Sequence, residues 1–118
     1  MTRRITWTWE ETVLAGWAAA RHDWRGVNER TPVVRELSLL LQALPIHPVT
    51  ERPDNFRSPG SVGRKINSLR AARPDYEGKG LRVIGMEADV VNGFLRNEAA
   101  MMQEASEILA KYNQPGAN

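Results

Sequence analysis

The stretch Thr8-Trp9-Glu10-Glu11-Thr12-Val13-Leu14-Ala15-Gly16-Trp17-Ala18-Ala19-Ala20-Arg21 decides the fold class. Its first four residues form a capping-box pattern. Thr8 is the N-cap, and Glu11, three positions on, can exchange hydrogen bonds with it. Trp9, Val13 and Trp17 then recur at i, i+4 and i+8, with Leu14 and Ala18 beside them. One broad apolar stripe of this kind predicts an amphipathic helix to about Arg21, with Trp9 and Trp17 in the core. Gly16 either weakens that helix slightly or lets another element pack close.

The same grammar recurs along the chain. Thr31-Pro32 opens a second helix, threonine as N-cap and proline in the first turn. Val34, Leu37, Leu41 and Leu44 are its buried line, and Pro45 and Pro48 stop it. Residues 45–60 hold four prolines, and Ile46, Val49 and Phe56 can pin this long loop to a core. Ser58-Pro59 starts a third helix, to about Arg73, with Val62, Ile66 and Leu69 on its apolar side. Residues 81–84 can pair as a short strand. A fourth helix over about residues 87–97 turns Val90, Val91, Phe94 and Leu95 inward. A fifth, about Glu98–Tyr112, offers Met101, Ala105, Ile108 and Tyr112. The expectation is a mainly α fold, a compact bundle of four to five helices with room for one short β element. It spans residues 1–112 as a single domain, followed by a tail, 113–118, that cannot continue the last helix and is expected to be disordered.

Composition narrows the function. Of 118 residues, 42% are hydrophobic and 25% charged, which is a globular balance rather than that of a disordered tail. There is no cysteine, so disulfides, thiolate zinc sites and a cysteine nucleophile are excluded together. The two histidines, His22 and His47, stand 25 positions apart, a poor metal inventory. No Ser-His-Asp order, glycine-rich phosphate loop or HExxH pattern occurs. The chain is expected to be non-catalytic and to need no cofactor. No apolar run approaches the roughly 20 residues of a membrane helix, and no signal peptide is evident. A cytoplasmic protein without membrane contact is expected.

The net charge of +2 is unevenly spread. Residues 1–54 balance, and residues 75–118 are acidic. Between them, residues 55–74 carry Arg57, Arg64, Lys65, Arg70 and Arg73 and no acid. A segment of this kind attracts a polyanion. On charge alone, a solvated face whose arginines pair with acids elsewhere stands equally open. Arg57, Ser58, Gly60 and Ser61 cluster at the start of the third helix, where free N–H groups and the helix dipole suit a phosphate.

Trp24-Arg25, the run from Val34 to Leu41, and Phe56-Arg57-Ser58-Pro59-Gly60-Ser61-Val62-Gly63-Arg64-Lys65 together resemble a known domain. It stands ahead of the nuclease domain in bacterial, largely actinobacterial, McrA-like HNH endonucleases. That pattern pairs an Arg-Glu-Leu-Ser-x-Leu-Leu helix with a Phe-Arg-Ser/Asn-Pro-x-Ser-Val-x-x-Lys block. A Pro-Asp-Tyr-x-Gly-Lys stretch follows, matched by residues 74–79. The resemblance covers about residues 5–110. It implies a module that reads 5-methylcytosine in double-stranded DNA for a modification-dependent restriction endonuclease. An HNH centre needs two histidines, an asparagine and a metal at close quarters, and neither His22 nor His47 has that setting. The implied role is therefore DNA reading, with cleavage carried elsewhere or absent.

DNA reading needs cations for phosphates and a few groups for bases. Arg57, Arg64, Lys65, Arg70 and Arg25 are candidates for the first. Ser58, Ser61 and Asn67 are candidates for neutral phosphate or base-edge contacts. A methyl reader also needs an apolar surface. Trp7 and Trp24 lie outside the helix stripes and are the first candidates, with Phe56 and Tyr76 next. For each, capping the core from outside is an equal alternative. Any apolar surface left over near Met101 and Met102 would suit a homodimer on a palindromic site. Two other readings stay open: a DNA-binding module without modification preference, and a protein–protein adaptor whose basic helix meets an acidic partner.

Overall fold

A computed structural model describes residues 5–73 and 85–112. The first helix, α1 (Trp9–Arg21), begins with the capping box. Thr8 Oγ1 accepts a hydrogen bond from the Glu11 N–H at 3.1 Å, and Glu11 Oε1 accepts one from the Thr8 N–H at 3.0 Å. The chain continues through α2 (Pro32–Ala43), a single 3-10 turn (Val49–Glu51), α3 (Pro59–Ala71), α4 (Met86–Arg96) and α5 (Glu98–Tyr112). The fold is a mainly α bundle, with no strand among the described residues. Residues 81–84, which the sequence allows to pair as a short strand, Tyr76 and the 113–118 tail lie outside the described residues.

α1 is the hub, touching each of the other four helices. It contributes Val13, Leu14, Ala15, Ala18 and Ala19 to the core. Around them pack Val34, Leu37 and Leu41 of α2, Val62, Ile66 and Leu69 of α3, Val90, Val91 and Phe94 of α4, and Met101, Ala105 and Ile108 of α5. Each fully buried large aliphatic or aromatic side chain contributes about 1.5–3 kcal/mol. The small residues of α1 allow several helices to surround it. At Gly16 the approach is closest, since an ideal Cβ there would lie 2.6 Å from Phe94 Cε2 and 3.0 Å from Val90 Cγ1. Close packing is therefore the reason for this glycine.

Several side chains depart from expectation. Trp9 is 39% exposed and not core. Its indole Nε1–H donates to Glu104 Oε2 at 2.6 Å, tying α1 to α5. Leu95 points largely to solvent, because α4 buries only the Val90, Val91 and Phe94 face. Thr31 does not cap α2; its Oγ1 instead accepts from the Asn28 N–H at 3.0 Å. Val49 is 76% exposed and pins nothing. The proline-rich loop is held by Arg52, whose guanidinium donates to the carbonyls of Gln42 at 2.7 Å, Leu44 at 2.9 Å and His47 at 2.8 Å. These include carbonyls left without partners where α2 ends, which a cation satisfies well. Met101, by contrast, is buried and Met102 packs against the core, as the apolar spacing of the fifth helix implies. No helix among the described residues is long and apolar enough to cross a membrane.

A candidate nucleic-acid groove beside the third helix

Arg57 sits at the turn into α3 with a left-handed backbone, φ +46°. Such a conformation is uncommon for a non-glycine residue and needs support from its surroundings. Support comes from α2. Ser38 Oγ donates to the Arg57 carbonyl at 2.7 Å, and Gln42 Nε2 donates to Ser38 Oγ at 3.0 Å. The side chain then runs inward. Its Nε donates to Glu11 Oε2 at 2.7 Å and its Nη2 to Glu11 Oε1 at 2.9 Å. Nη1 and Nη2 also reach the carbonyls of Ile5 at 3.2 Å and Thr6 at 3.3 Å. Arg57 and Glu11 are 5% and 1% exposed. The charge expected to meet a phosphate is instead spent on a buried ion pair.

Glu11 is thus shared between a helix cap and a tertiary ion pair, and His47 Nε2 joins it at 2.8 Å. Burial pushes the Glu11 carboxyl up. Hydrogen bonds from Arg57, His47 and the Thr8 backbone, with the Arg57 charge, outweigh it and hold the group below the ordinary glutamate range. The Arg57 guanidinium is also flanked by aromatic rings, 4.4 Å from the Trp7 centroid and 4.8 Å from that of Phe56. One arginine thereby fixes two of the candidate aromatics.

These residues form one side of an open groove of about 700 Å³. Its walls come from four places: the segment entering α1 (Ile5 to Trp7), the loop before α3 (Pro53, Asn55 to Arg57), the face of α3 carrying Ser61, Arg64, Lys65 and Ser68, and Glu87 at the start of α4. Ligand sites typically enclose about 300–1,000 Å³ with a few convergent polar groups, and the groove is of that size. Arg64 is exposed and has no ion pair among the described residues. Lys65 is half-buried, its Nζ 5.2 Å from the Trp7 centroid. It donates to Glu87 Oε2 at 2.6 Å, while Ser68 Oγ donates to Glu87 Oε1 at 2.6 Å.

The groove therefore unites Trp7, Phe56, Arg57, Ser61, Arg64 and Lys65. The other candidates lie elsewhere. Ser58 caps α3, accepting from the Ser61 N–H at 3.3 Å, so this hydroxyl occupies part of the expected phosphate site. Asn67 clasps the backbone of Val27, accepting from its N–H at 3.0 Å and donating to its carbonyl at 2.8 Å. Arg70 Nε donates to the Trp24 carbonyl at 2.9 Å. Asn67 and Arg70 thus hold the α1–α2 connection against α3. Trp24 packs edge-on against Phe94, ring centroids 5.9 Å apart, and Arg73 lies 5.0 Å above its ring. Arg25 is exposed, and its Nε donates to the His22 carbonyl at 3.3 Å.

Sequence reasoning missed Glu87 as a groove residue and Glu11 as more than a cap. Only the capping-box spacing marked Glu11, and nothing local marked Glu87, which meets α3 from across the bundle. Among the described residues no group of three or more His, Cys, Asp or Glu could hold a metal ion. Comparison with known protein families, with curated proteins and with solved structures finds no match.

Proposed function

We propose that this chain is a DNA-recognition domain that binds duplex DNA along the exposed edge of α3 and receives 5-methylcytosine in the adjoining groove. In this reading it serves a modification-dependent HNH-type restriction endonuclease in the cytoplasm. The observation that carries the reading is the juxtaposition of Arg64, an exposed cation with no ion pair among the described residues, on an acid-free helix, with a groove of about 700 Å³ that Trp7 lines. A cation at the rim suits a phosphate, and the half-buried Trp7 suits the face or methyl group of a base, while Phe56, 7% exposed, backs the wall behind it. The sequence resemblance supplies the modified base and the restriction setting. Arg57 serves by fixing the groove wall rather than by touching DNA.

The test is a gel shift with matched duplexes carrying cytosine, 5-methylcytosine or N6-methyladenine. Preference for 5-methylcytosine is expected. Arg64→Ala should weaken binding to every duplex and lower the salt slope by about one unit, one phosphate contact. Lys65→Ala should lower the slope less, because Glu87 already neutralises that ammonium. Binding without preference would leave a sequence-tolerant DNA module, and no duplex binding would overturn the reading.

A further inference from the structure

The groove holds one acidic side chain among its described lining residues, Glu87. Its position is puzzling if the groove simply follows a DNA backbone, since a carboxylate there repels phosphate. It suits a nucleobase edge instead. Both carboxylate oxygens are already aimed, Oε2 by Lys65 Nζ and Oε1 by Ser68 Oγ, each at 2.6 Å. A carboxylate oxygen has two lone pairs, so each keeps acceptor capacity after those bonds. The Lys65 ammonium has three N–H donors and uses one on Glu87. Together the pair presents an acceptor beside a donor, with Trp7 and Ile5 on the neighbouring wall.

That pattern matches the Watson–Crick edge of a cytosine turned out of the helix into the groove, where the 4-amino group donates and the adjacent ring nitrogen accepts. It opposes thymine, whose 4-carbonyl would face the carboxylate. The distinction matters because 5-methylcytosine and thymine carry the same methyl group. An apolar methyl contact cannot tell them apart; only groups that meet position 4 and the adjacent ring nitrogen can. We infer that Glu87, oriented by Lys65 and Ser68, is the specificity-determining acceptor that admits an amino-bearing pyrimidine and rejects its keto counterpart. This rests on the DNA-reading function proposed above and names the part of the base that the groove selects.

The experiment is competition fluorescence anisotropy with the 118-residue chain and two duplexes identical except at one position, 5-methylcytosine opposite guanine or thymine opposite guanine. The weaker pairing of the mismatch acts equally on all protein variants, so the comparison between variants isolates Glu87. The wild type should favour 5-methylcytosine by on the order of tenfold, the discrimination expected of one good base contact. Glu87→Gln keeps the shape but can present an N–H₂ to the thymine carbonyl. It should shrink or invert the ratio while general affinity holds or rises, since an anion has been removed from a DNA-facing groove. A purely structural role would instead lower affinity for both duplexes together. Ser68→Ala, which only loosens the carboxylate, should lower the ratio by a smaller factor and serves if Glu87→Gln melts early. Duplex binding with the wild-type ratio unchanged in both variants overturns the Glu87 assignment alone. Absence of duplex binding by the wild type overturns the DNA-reading function and this inference with it.

Discussion

The Arg57 guanidinium grips the Glu11 carboxylate through two hydrogen bonds, at 2.7 and 2.9 Å, across 46 residues of sequence. The pair joins the start of α1 to the turn into α3, and so sets the width of the groove between them. It also locks Trp7 and Phe56, whose rings flank the same guanidinium.

Breaking that pair should be costly. Arg57→Ala leaves a buried carboxylate without its main cation, and Glu11→Ala leaves the converse. Removing one partner of a buried pair typically costs about 3–5 kcal/mol. Either variant should lose that much in urea unfolding at neutral pH. Arg57→Lys should recover little, because an ammonium cannot reproduce the planar two-point contact. A loss below about 1 kcal/mol in Arg57→Ala would remove the pair from its central place.

The pH dependence follows from the direction of the Glu11 shift. Its folded-state pKa lies below the unfolded value, so the folded state holds the proton less tightly. The stabilisation is present above the unfolded glutamate value of about 4.3 and is lost as pH falls through the folded value. Thermal melts from pH 6 downward should show a declining midpoint in acid. Glu11→Gln should start lower and decline less steeply. Equal slopes in the two proteins would place the acid sensitivity in other carboxylates.

Gly16→Ala tests the α1–α4 contact. Helix propensity alone would gain about 1 kcal/mol from alanine. The added Cβ would fall 2.6 Å from the Phe94 ring, a clash within a packed core. Overpacking of this kind costs about 1–3 kcal/mol, so a net loss is expected in thermal melts. A stabilised variant would mean that α4 moves away freely.

Trp7 and Trp24 should separate binding from stability. Trp7 lines the groove, whereas Trp24 packs against Phe94 and Arg73. Trp7→Ala should abolish preference for 5-methylcytosine while leaving much of the salt-dependent binding. Trp24→Ala should lower the melting midpoint and leave the preference intact. The reverse pattern, read by gel shift and melts, would move the base site to the other tryptophan.

What could be read from the sequence alone was whatever is decided within a few residues. Thr8 and Glu11 mark the start of α1 because a capping box closes over three positions, and the fifth helix was legible because its apolar residues repeat within one turn. The acid-free stretch that carries Arg64 was equally local. Placement of the side chains was not. Arg57 and Arg64 look alike in sequence, yet one is buried on Glu11 and the other exposed. Lys65 looked as free as Arg64 until Glu87 reached it from α4. Asn67 and Arg70, seemingly poised for DNA, are occupied by the backbone of Val27 and Trp24, 40 and 46 positions away. Helix periodicity says which face of an element is polar. Which partner meets that face depends on how α2, α3, α4 and α5 pack around the small residues of α1. A charge becomes a ligand contact or a structural tie only when that packing brings, or withholds, its counter-ion.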